Sequence, residues 1–260
     1  MGLNYKGWVM EFVGTFALCF VGGLVVQSAK PDAIEPVALA HGFVLGFMIY
    51  AGANVSGSHF NPAVSVTLII LRKCPVVDGL LYIIFQLIGS ILAGLLVAVI
   101  IDPKTLQKDD GNPQDISYCG CPNGIGFQPK DQFLYQLQGA GIETLSTFFL
   151  MFTIMGTAVD KRAAKSVYGF AIGATLSMCI IACGPATGGA LNPFRSWGPI
   201  IGAGFLYPQE FHRFSWIYAF PFIGAILAGL LYECVFNLKE KPAPQKAKLA
   251  DADSESNVKL

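Results

Sequence analysis

Two short segments of the 260-residue chain resemble each other: Ser56-Gly57-Ser58-His59-Phe60-Asn61-Pro62 and Thr187-Gly188-Gly189-Ala190-Leu191-Asn192-Pro193. In each, a stretch rich in small residues leads into Asn-Pro. Asn is a favoured N-cap residue, and Pro is favoured at the first helical position because it has no N–H to leave unsatisfied. The two segments therefore predict two helix starts, each placed after an interruption of the backbone.

Both segments lie inside apolar runs that are too long for one membrane span. Pro36–Leu71 contains 36 residues without a charge, and Ser166–Arg195 is uncharged until its final arginine. A continuous helix of the first length would be ~54 Å long, whereas the hydrocarbon core of a bilayer is ~30 Å thick. We therefore expect each run to form a full helix, a non-helical stretch and a half-helix that begins at Asn61 or Asn192. The second interruption is expected to begin at Gly184-Pro185.

Four further segments have the length and composition of single transmembrane helices. Lys6–Lys30 and Asp131–Asp160 each enclose one charge, Glu11 and Glu143 respectively, while Gly79–Ile101 and Phe214–Tyr232 enclose none. Only 13% of the chain is charged, the net charge is zero and the mean hydropathy is +0.55. Because a soluble domain carries roughly a quarter charged residues, the composition argues against a soluble enzyme, and it offers no basic surface for nucleic acid.

The resemblance between the two segments extends to an internal repeat. Glu11-x-x-x-Thr15 corresponds to Glu143-x-x-x-Thr147, and residues 88–96 correspond to residues 223–231, at offsets close to that of the Asn-Pro segments. The halves, about 7–101 and 136–236, are joined by a loop at 102–135. Each half has three spans, an odd number, so the two must be inverted in the membrane. Such repeats place the functional site at the midplane, where the broken segments meet.

The basic residues predict the orientation. Assigning both termini and the 72–78 and 160–165 connections to one side gathers eight Lys and Arg residues there. The opposite side has five, spread over longer loops. The positive-inside rule then places both termini in the cytoplasm, with residues 1–6 as a short N-terminal segment and 237–260 as a disordered tail. The membrane itself is left open between the plasma membrane and an intracellular one such as the vacuolar or mitochondrial membrane.

The candidate site consists of Asn61-Pro62-Ala63, Asn192-Pro193-Phe194 and the intramembrane Arg195. Two facing half-helices direct their positive dipole ends toward the bilayer centre, so a cation is repelled while a neutral molecule accepts hydrogen bonds from the Asn amides. An intramembrane arginine is functional by default. His41 and His59 are candidate pore-lining groups, and Glu11 and Glu143 are expected to brace loop backbone.

These motifs, with Arg195-x-x-Gly198-Pro199, resemble the aquaporin (major intrinsic protein) family over about residues 7–236. The resemblance implies a homotetramer with one pore per subunit and a constriction formed by His41, Ile180, Gly189 and Arg195. That set is similar to the aquaporin-8 and plant tonoplast-intrinsic branch, which implies permeability to ammonia and hydrogen peroxide besides water. The family usually has Ala where this chain has Phe194, so we expect repacking between the half-helices.

Two alternatives remain beside a passive channel for water and small neutral solutes. A glycerol or urea channel of the same family typically has Asp after the arginine, where this chain has Ser196. A secondary active transporter also uses inverted repeats and broken helices, but it would have only Glu11, Glu143 and His41 to titrate. No enzyme, cofactor or metal site is predicted, and Cys119-Gly120-Cys121 is interpreted as a pair of free or intermolecularly bonded thiols.

Overall fold

The computed structural model of the chain describes residues 4–29, 33–101, 117–121 and 132–236. The predicted tail at 237–260, the start of the N-terminal segment and most of the loop at 102–135 lie outside these ranges. Throughout the described residues the chain forms helices, turns and irregular connections, without a β-strand. This agrees with the predicted all-α membrane protein.

The described residues form eight α-helices, which follow the predicted order of full spans and half-helices. Their bounds are α1 Tyr5–Ser28, α2 Ile34–Gly52, α3 Pro62–Ile70, α4 Val76–Ile100, α5 Gln132–Ile154, α6 Tyr168–Thr187, α7 Pro193–Gly204 and α8 Phe220–Leu231. Short π-helical turns extend α5 over Met155–Val159 and α8 over Tyr232–Phe236, and 3₁₀ turns occupy Pro208–Arg213 and Trp216–Ala219. Among the described residues, six helices are long and apolar enough to cross a membrane, as the sequence predicts.

The two half-helices, α3 and α7, start at the predicted Asn-Pro pairs. The Asn61 side chain accepts a hydrogen bond from the Ala63 N–H at 2.9 Å, and the Asn192 side chain accepts one from the Phe194 N–H at 3.0 Å. Each Asn is thus an N-cap and each Pro is the first helical residue, an arrangement that satisfies a backbone donor otherwise left unpaired at the helix start.

The predicted start of the second interruption is wrong by four residues. Helix α6 continues through Gly184 and Pro185 and ends at Thr187. It is terminated by Gly188, whose positive φ of 82° brings its N–H to within 2.8 Å of the Gly184 carbonyl oxygen. A left-handed glycine stops a helix in this way, whereas Pro185, in the last turn, is accommodated within it.

The packing of the helices shows the two-fold relation between the halves. Helix α1 packs on α4 as α5 packs on α8, and α3 packs on α8 as α7 packs on α4. Helices α2 and α6 are equivalent to each other and pack together directly. The halves are therefore related by an inverted, pseudo-two-fold repeat, as predicted.

Two glycines mark the crossing of α2 and α6. A Cβ on Gly42 would lie 2.3 Å from the Gly173 carbonyl oxygen, and a Cβ on Gly173 would lie 2.3 Å from the Gly42 carbonyl oxygen. Because the two glycines are equivalent in the repeat and contact each other reciprocally, the pseudo-two-fold axis passes between them. Small residues let two helix backbones approach this closely.

Candidate functional site

A cavity of about 490 Å³ lies between the two half-helices. Its lining residues come from all helices from α1 to α7. It extends from Arg195 and His41 at one end, past Asn61 and Asn192, to a polar end. That end is lined by Asn4, Lys73 and Asp78. The structure therefore brings the asparagines of both predicted Asn-Pro pairs and the predicted intramembrane arginine to one continuous space.

The two asparagines are joined by reciprocal hydrogen bonds across the repeat. Asn61 Nδ2 donates to the Leu191 carbonyl oxygen at 2.9 Å, and Asn192 Nδ2 donates to the Phe60 carbonyl oxygen at 2.8 Å. Each asparagine also caps its own half-helix through Oδ1, so both side chains are held at both ends. The geometry fixes the two amide groups opposite each other where the half-helices meet.

The residues that precede the asparagines have strained backbones. Phe60 and Leu191 both have φ of 49°, in the left-handed region that residues other than glycine rarely adopt. Their N–H groups donate to buried carboxylates, Phe60 to Glu11 Oε2 at 2.7 Å and Leu191 to Glu143 Oε2 at 2.9 Å. Strain of this kind persists where the surroundings over-determine it. Here the carboxylates hold the turn that aims each carbonyl at the opposite asparagine.

Both carboxylates accept further hydrogen bonds from the same loops. Glu11 Oε1 accepts from the His59 N–H at 2.8 Å and from Ser56 Oγ at 2.6 Å. Glu143 Oε1 accepts from the Ala190 N–H at 3.1 Å and from Thr187 Oγ1 at 2.7 Å. All four oxygens are thus engaged with the two interruptions of the backbone. The helices that carry the carboxylates, α1 and α5, thereby hold the two loops in equivalent positions.

Arg195 lies at one end of the cavity and is 4% exposed. Its Nε donates to His41 Nε2 at 2.7 Å, and its Nη2 donates to the Gly120 carbonyl oxygen at 2.8 Å. Its Nη1 is buried without a hydrogen-bond partner among the described residues. A buried guanidinium nitrogen without a partner is costly, so Arg195 keeps unused donor capacity at this end of the cavity.

Three of the four predicted constriction residues line the cavity and the fourth does not. His41, Ile180 and Arg195 line the cavity. Gly189 does not line it and packs against α6, where a Cβ added to it would lie 3.2 Å from the Ile180 Cα. The cavity instead reaches the neighbouring Ala190.

His59 and Phe194 differ in their relation to the cavity. His59 lines it, and its Nδ1 lies 3.0 Å from Ser65 Oγ. Phe194 is buried outside the lining, and its carbonyl oxygen accepts a hydrogen bond from Cys19 Sγ at 3.8 Å. The larger residue is accommodated while the two asparagine bonds remain nearly equal in length.

The sequence matches the family described as major intrinsic protein over residues 3–232. The chain belongs to the major intrinsic protein, or aquaporin, family. Its relatives are channels, and this aquaporin is therefore a passive channel for water and small solutes and not an enzyme, as the sequence predicts.

Among curated relatives, Nodulin-26 from Glycine max is 36% identical over 247 residues, which cover 93% of this chain and 82% of the relative. The probable aquaporin TIP2-2 from Arabidopsis thaliana is 33% identical over 253 residues, with coverage of 93% and 91%. The X-ray structure of the aquaglyceroporin from Plasmodium falciparum superposes with a TM-score of 0.74 at 21% identity, and the match covers 90% of this chain and 98% of that one. This last likeness supports the fold.

Two residues at the site of this aquaporin, Gln86 and Gly120, were missed by sequence reasoning. Gln86 donates to Glu11 Oε2 at 2.7 Å and to Ser65 Oγ at 2.9 Å, and Gly120 supplies the carbonyl that holds Arg195. Gln86 is a buried amide in an otherwise apolar span, a signal that was present in the sequence. Gly120 acts through its backbone, so its residue type carries no such signal.

Proposed function

We propose that the channel conducts water and small neutral solutes, including ammonia and hydrogen peroxide, and excludes protons and other cations. The observation that carries the proposal is the reciprocal pairing of Asn61 and Asn192 at the meeting point of the half-helices. Each amide nitrogen has two hydrogens and uses one of them on the opposite carbonyl. The second hydrogen is then free to donate to the oxygen or nitrogen of a solute in the cavity.

The half-helices supply the basis for ion exclusion. The N-termini of α3 and α7 both point at the asparagine pair, and each carries about half a positive charge. A cation or hydronium that sheds water there meets two positive dipole ends and the guanidinium of Arg195. A neutral dipolar molecule is instead oriented with its negative atom toward the amides, which is the exclusion principle of aquaporin-type pores.

The constriction is proposed to consist of His41, Ile180, Arg195 and the backbone around Gly189. Ile180 contributes an aliphatic wall in place of an aromatic one, so the opening should be wider and less polar than a strictly water-selective constriction. Arg195 is the hydrogen-bond donor on the other wall. This combination of one strong donor with an aliphatic surface supports permeation by ammonia and hydrogen peroxide.

The titratable groups of the site favour a passive channel over a proton-coupled transporter. Glu11 and Glu143 are each occupied by backbone N–H donors, and His41 is bonded on both ring nitrogens. A proton relay requires titratable groups that can exchange protons with the transport pathway. These three groups instead hold loops and the arginine in place.

A solute panel in proteoliposomes tests the proposal. Stopped-flow light scattering should show water, ammonia and hydrogen peroxide crossing faster than in protein-free vesicles, with a low activation energy. Glycerol and urea should cross at the protein-free rate. Fast glycerol flux would identify the chain as a glycerol-type channel, and uptake that depends on an imposed proton gradient would identify a transporter.

Assembly and orientation form part of the same proposal. We propose a homotetramer with both termini in the cytoplasm. Large apolar side chains on the outside of α2 and α6, among them Phe43, Phe47 and Phe170, are suited to lipid or to a neighbouring subunit. Chemical cross-linking in native membranes should give a four-chain limit. A tag after Leu260 should resist protease added outside intact cells.

A further inference from the structure

Two cysteines and a glutamate form a buried cluster close to Arg195 but outside the cavity. Cys119 and Cys121 are 0% and 2% exposed, and Glu210, in the 3₁₀ turn Pro208–Arg213, is 0% exposed. The three ligand atoms of these residues all lie within 4.8 Å of one another. No role in permeation requires two thiols and a carboxylate at this place, because none of the three lines the cavity.

The distances within the cluster match the coordination shell of zinc. Cys119 Sγ lies 3.2 Å and Cys121 Sγ 4.0 Å from Glu210 Oε2, and Ser117 Oγ lies 3.7 Å from each sulfur. With Zn–S bonds of about 2.3 Å and Zn–O bonds of about 2.1 Å, the sulfur–oxygen edge of a tetrahedron is about 3.6 Å. The observed separations bracket this value, so an ion at the centre requires only small movements.

The surroundings orient the carboxylate and balance the charge. Glu210 Oε1 accepts from the Tyr118 N–H at 3.1 Å and pairs with Arg213 Nε at 3.4 Å, so that Oε2 faces the two sulfurs. Outer hydrogen bonds of this kind fix metal ligands in place. Two thiolates and one carboxylate with a divalent ion leave a single negative charge, and Arg213 and Arg195 lie close by to compensate it.

We propose that Cys119, Cys121 and Glu210 bind a thiophilic divalent cation such as Zn²⁺, with Ser117 Oγ or a water as fourth ligand. Each thiol releases its proton to solvent on binding. Gly120 stands between the two cysteines, and its carbonyl holds Arg195 Nη2 at 2.8 Å. The bound ion therefore fixes the segment that positions the arginine. This second part rests on the proposed role of Arg195 in the constriction, whereas metal binding itself does not.

Metal content and cobalt substitution test the binding. Full-length protein purified without chelator should contain about one zinc per chain, and Co²⁺ added to metal-stripped protein should give a thiolate-to-cobalt charge-transfer band. The double variant Cys119→Ser/Cys121→Ser should fall below about 0.1 zinc per chain and lose the band. Glu210→Gln should weaken Co²⁺ binding at least ~10-fold. Cys74→Ser/Cys234→Ser removes two thiols elsewhere and should match wild type.

Three results would overturn the site. They are wild-type protein without zinc or a cobalt band, equal zinc in the two double variants, and an intact mass showing a Cys119–Cys121 disulfide in place of metal.

The link between the bound metal and Arg195 is measured separately. Stripping the metal should raise urea flux severalfold in wild type. The same treatment should not change the urea flux of the Cys119→Ser/Cys121→Ser variant, which holds no metal to lose. Unchanged urea flux in protein that does bind zinc would reject the link alone.

Discussion

Arg195 Nε donates a hydrogen bond of 2.7 Å to His41 Nε2, which ties the half-helix α7 to the span α2. The other ring nitrogen of His41, Nδ1, lies 2.7 Å from the Val37 carbonyl oxygen. A nitrogen facing a carbonyl must donate and one facing a guanidinium N–H must accept, so His41 is the neutral tautomer protonated on Nδ1. The sequence predicted that both residues belong to the constriction. In the structure, His41 accepts from Arg195 and thereby holds its side chain in place.

Replacing Arg195 with Val should widen the channel and weaken its selectivity. The change removes the buried guanidinium and its Nη1 donor, so urea and glycerol should cross severalfold faster and cation leak should rise. Stopped-flow solute flux and vesicle conductance measure both effects. Arg162→Val, at a surface arginine bonded to Asp160, is the control. An unchanged selectivity profile would remove Arg195 from the constriction.

Replacing His41 with Ala should loosen the arginine without removing it. Arg195 Nε then loses its acceptor in a buried place, a cost of about 1–3 kcal/mol that the side chain relieves by moving. We expect higher urea flux than in wild type, but less cation leak than in Arg195→Val, because the positive charge stays. His212→Ala, in the 3₁₀ turn Pro208–Arg213, is the matched control. Equal urea flux in wild type, His41→Ala and His212→Ala would contradict the positioning role of His41.

Glu11 and Glu143, the carboxylates that hold the two loops, should contribute unequally to thermal stability. Glu11 accepts from four donors, namely Ser56 Oγ, the N–H groups of His59 and Phe60, and Gln86 Nε2. Glu143 accepts from three, namely Thr187 Oγ1 and the N–H groups of Ala190 and Leu191. Each bond to a charged acceptor contributes about 1.5–3 kcal/mol. Glu11→Gln should therefore lower Tm in detergent more than Glu143→Gln.

Glu35→Gln, at the first turn of α2, supplies a control for both carboxylate variants and should leave Tm nearly unchanged. Water flux per folded channel should also fall in Glu11→Gln and Glu143→Gln, because the strained turns at Phe60 and Leu191 lose hydrogen bonds to the carboxylates. A Glu11→Gln protein as stable and as permeable as wild type would show that the loops hold their shape without the carboxylate.

Alanine at Gly42 should disrupt the crossing of α2 and α6. Its Cβ would lie 1.9 Å from Ser177 Oγ and 2.3 Å from the Gly173 carbonyl oxygen, so the two helices must separate. Gly141, in α5, has nothing within 4 Å of an added Cβ. Gly141→Ala should therefore stabilise the protein by about 0.5–1 kcal/mol through helix propensity, while Gly42→Ala destabilises it. Thermal unfolding in detergent compares the two, and a Gly42→Ala protein as stable as wild type would contradict the close crossing.

Phe194→Ala should affect stability more than permeation. The ring is buried and does not line the cavity, and truncating a buried Phe costs about 3–5 kcal/mol. The asparagine bonds do not involve the ring, so water flux per folded channel should stay within about twofold of wild type. A large increase in solute size limit would instead show that Phe194 narrows the pore.

Much of the fold followed from the residues themselves. The positions of charges marked the spans, and the two Asn-Pro pairs marked the half-helices, because capping and chain length are local properties. The repeat of Glu11 and Glu143 was visible as well. The interruption at Gly184-Pro185 was misplaced, since proline and left-handed glycine are both stop signals and only the glycine ends this helix.

The sequence alone could not show which residues far apart in the chain come into contact. Arg195 was identified as an unusual charge, but its partners His41 and Gly120 lie on other elements, and Gly120 contributes a backbone atom that any residue has. Cys119 and Cys121 lack a zinc-finger spacing, and Glu210 joins them only because the 3₁₀ turn after α7 packs beneath their loop. Local sequence determines helices and caps, whereas a site assembled from distant segments exists only after the helices have packed.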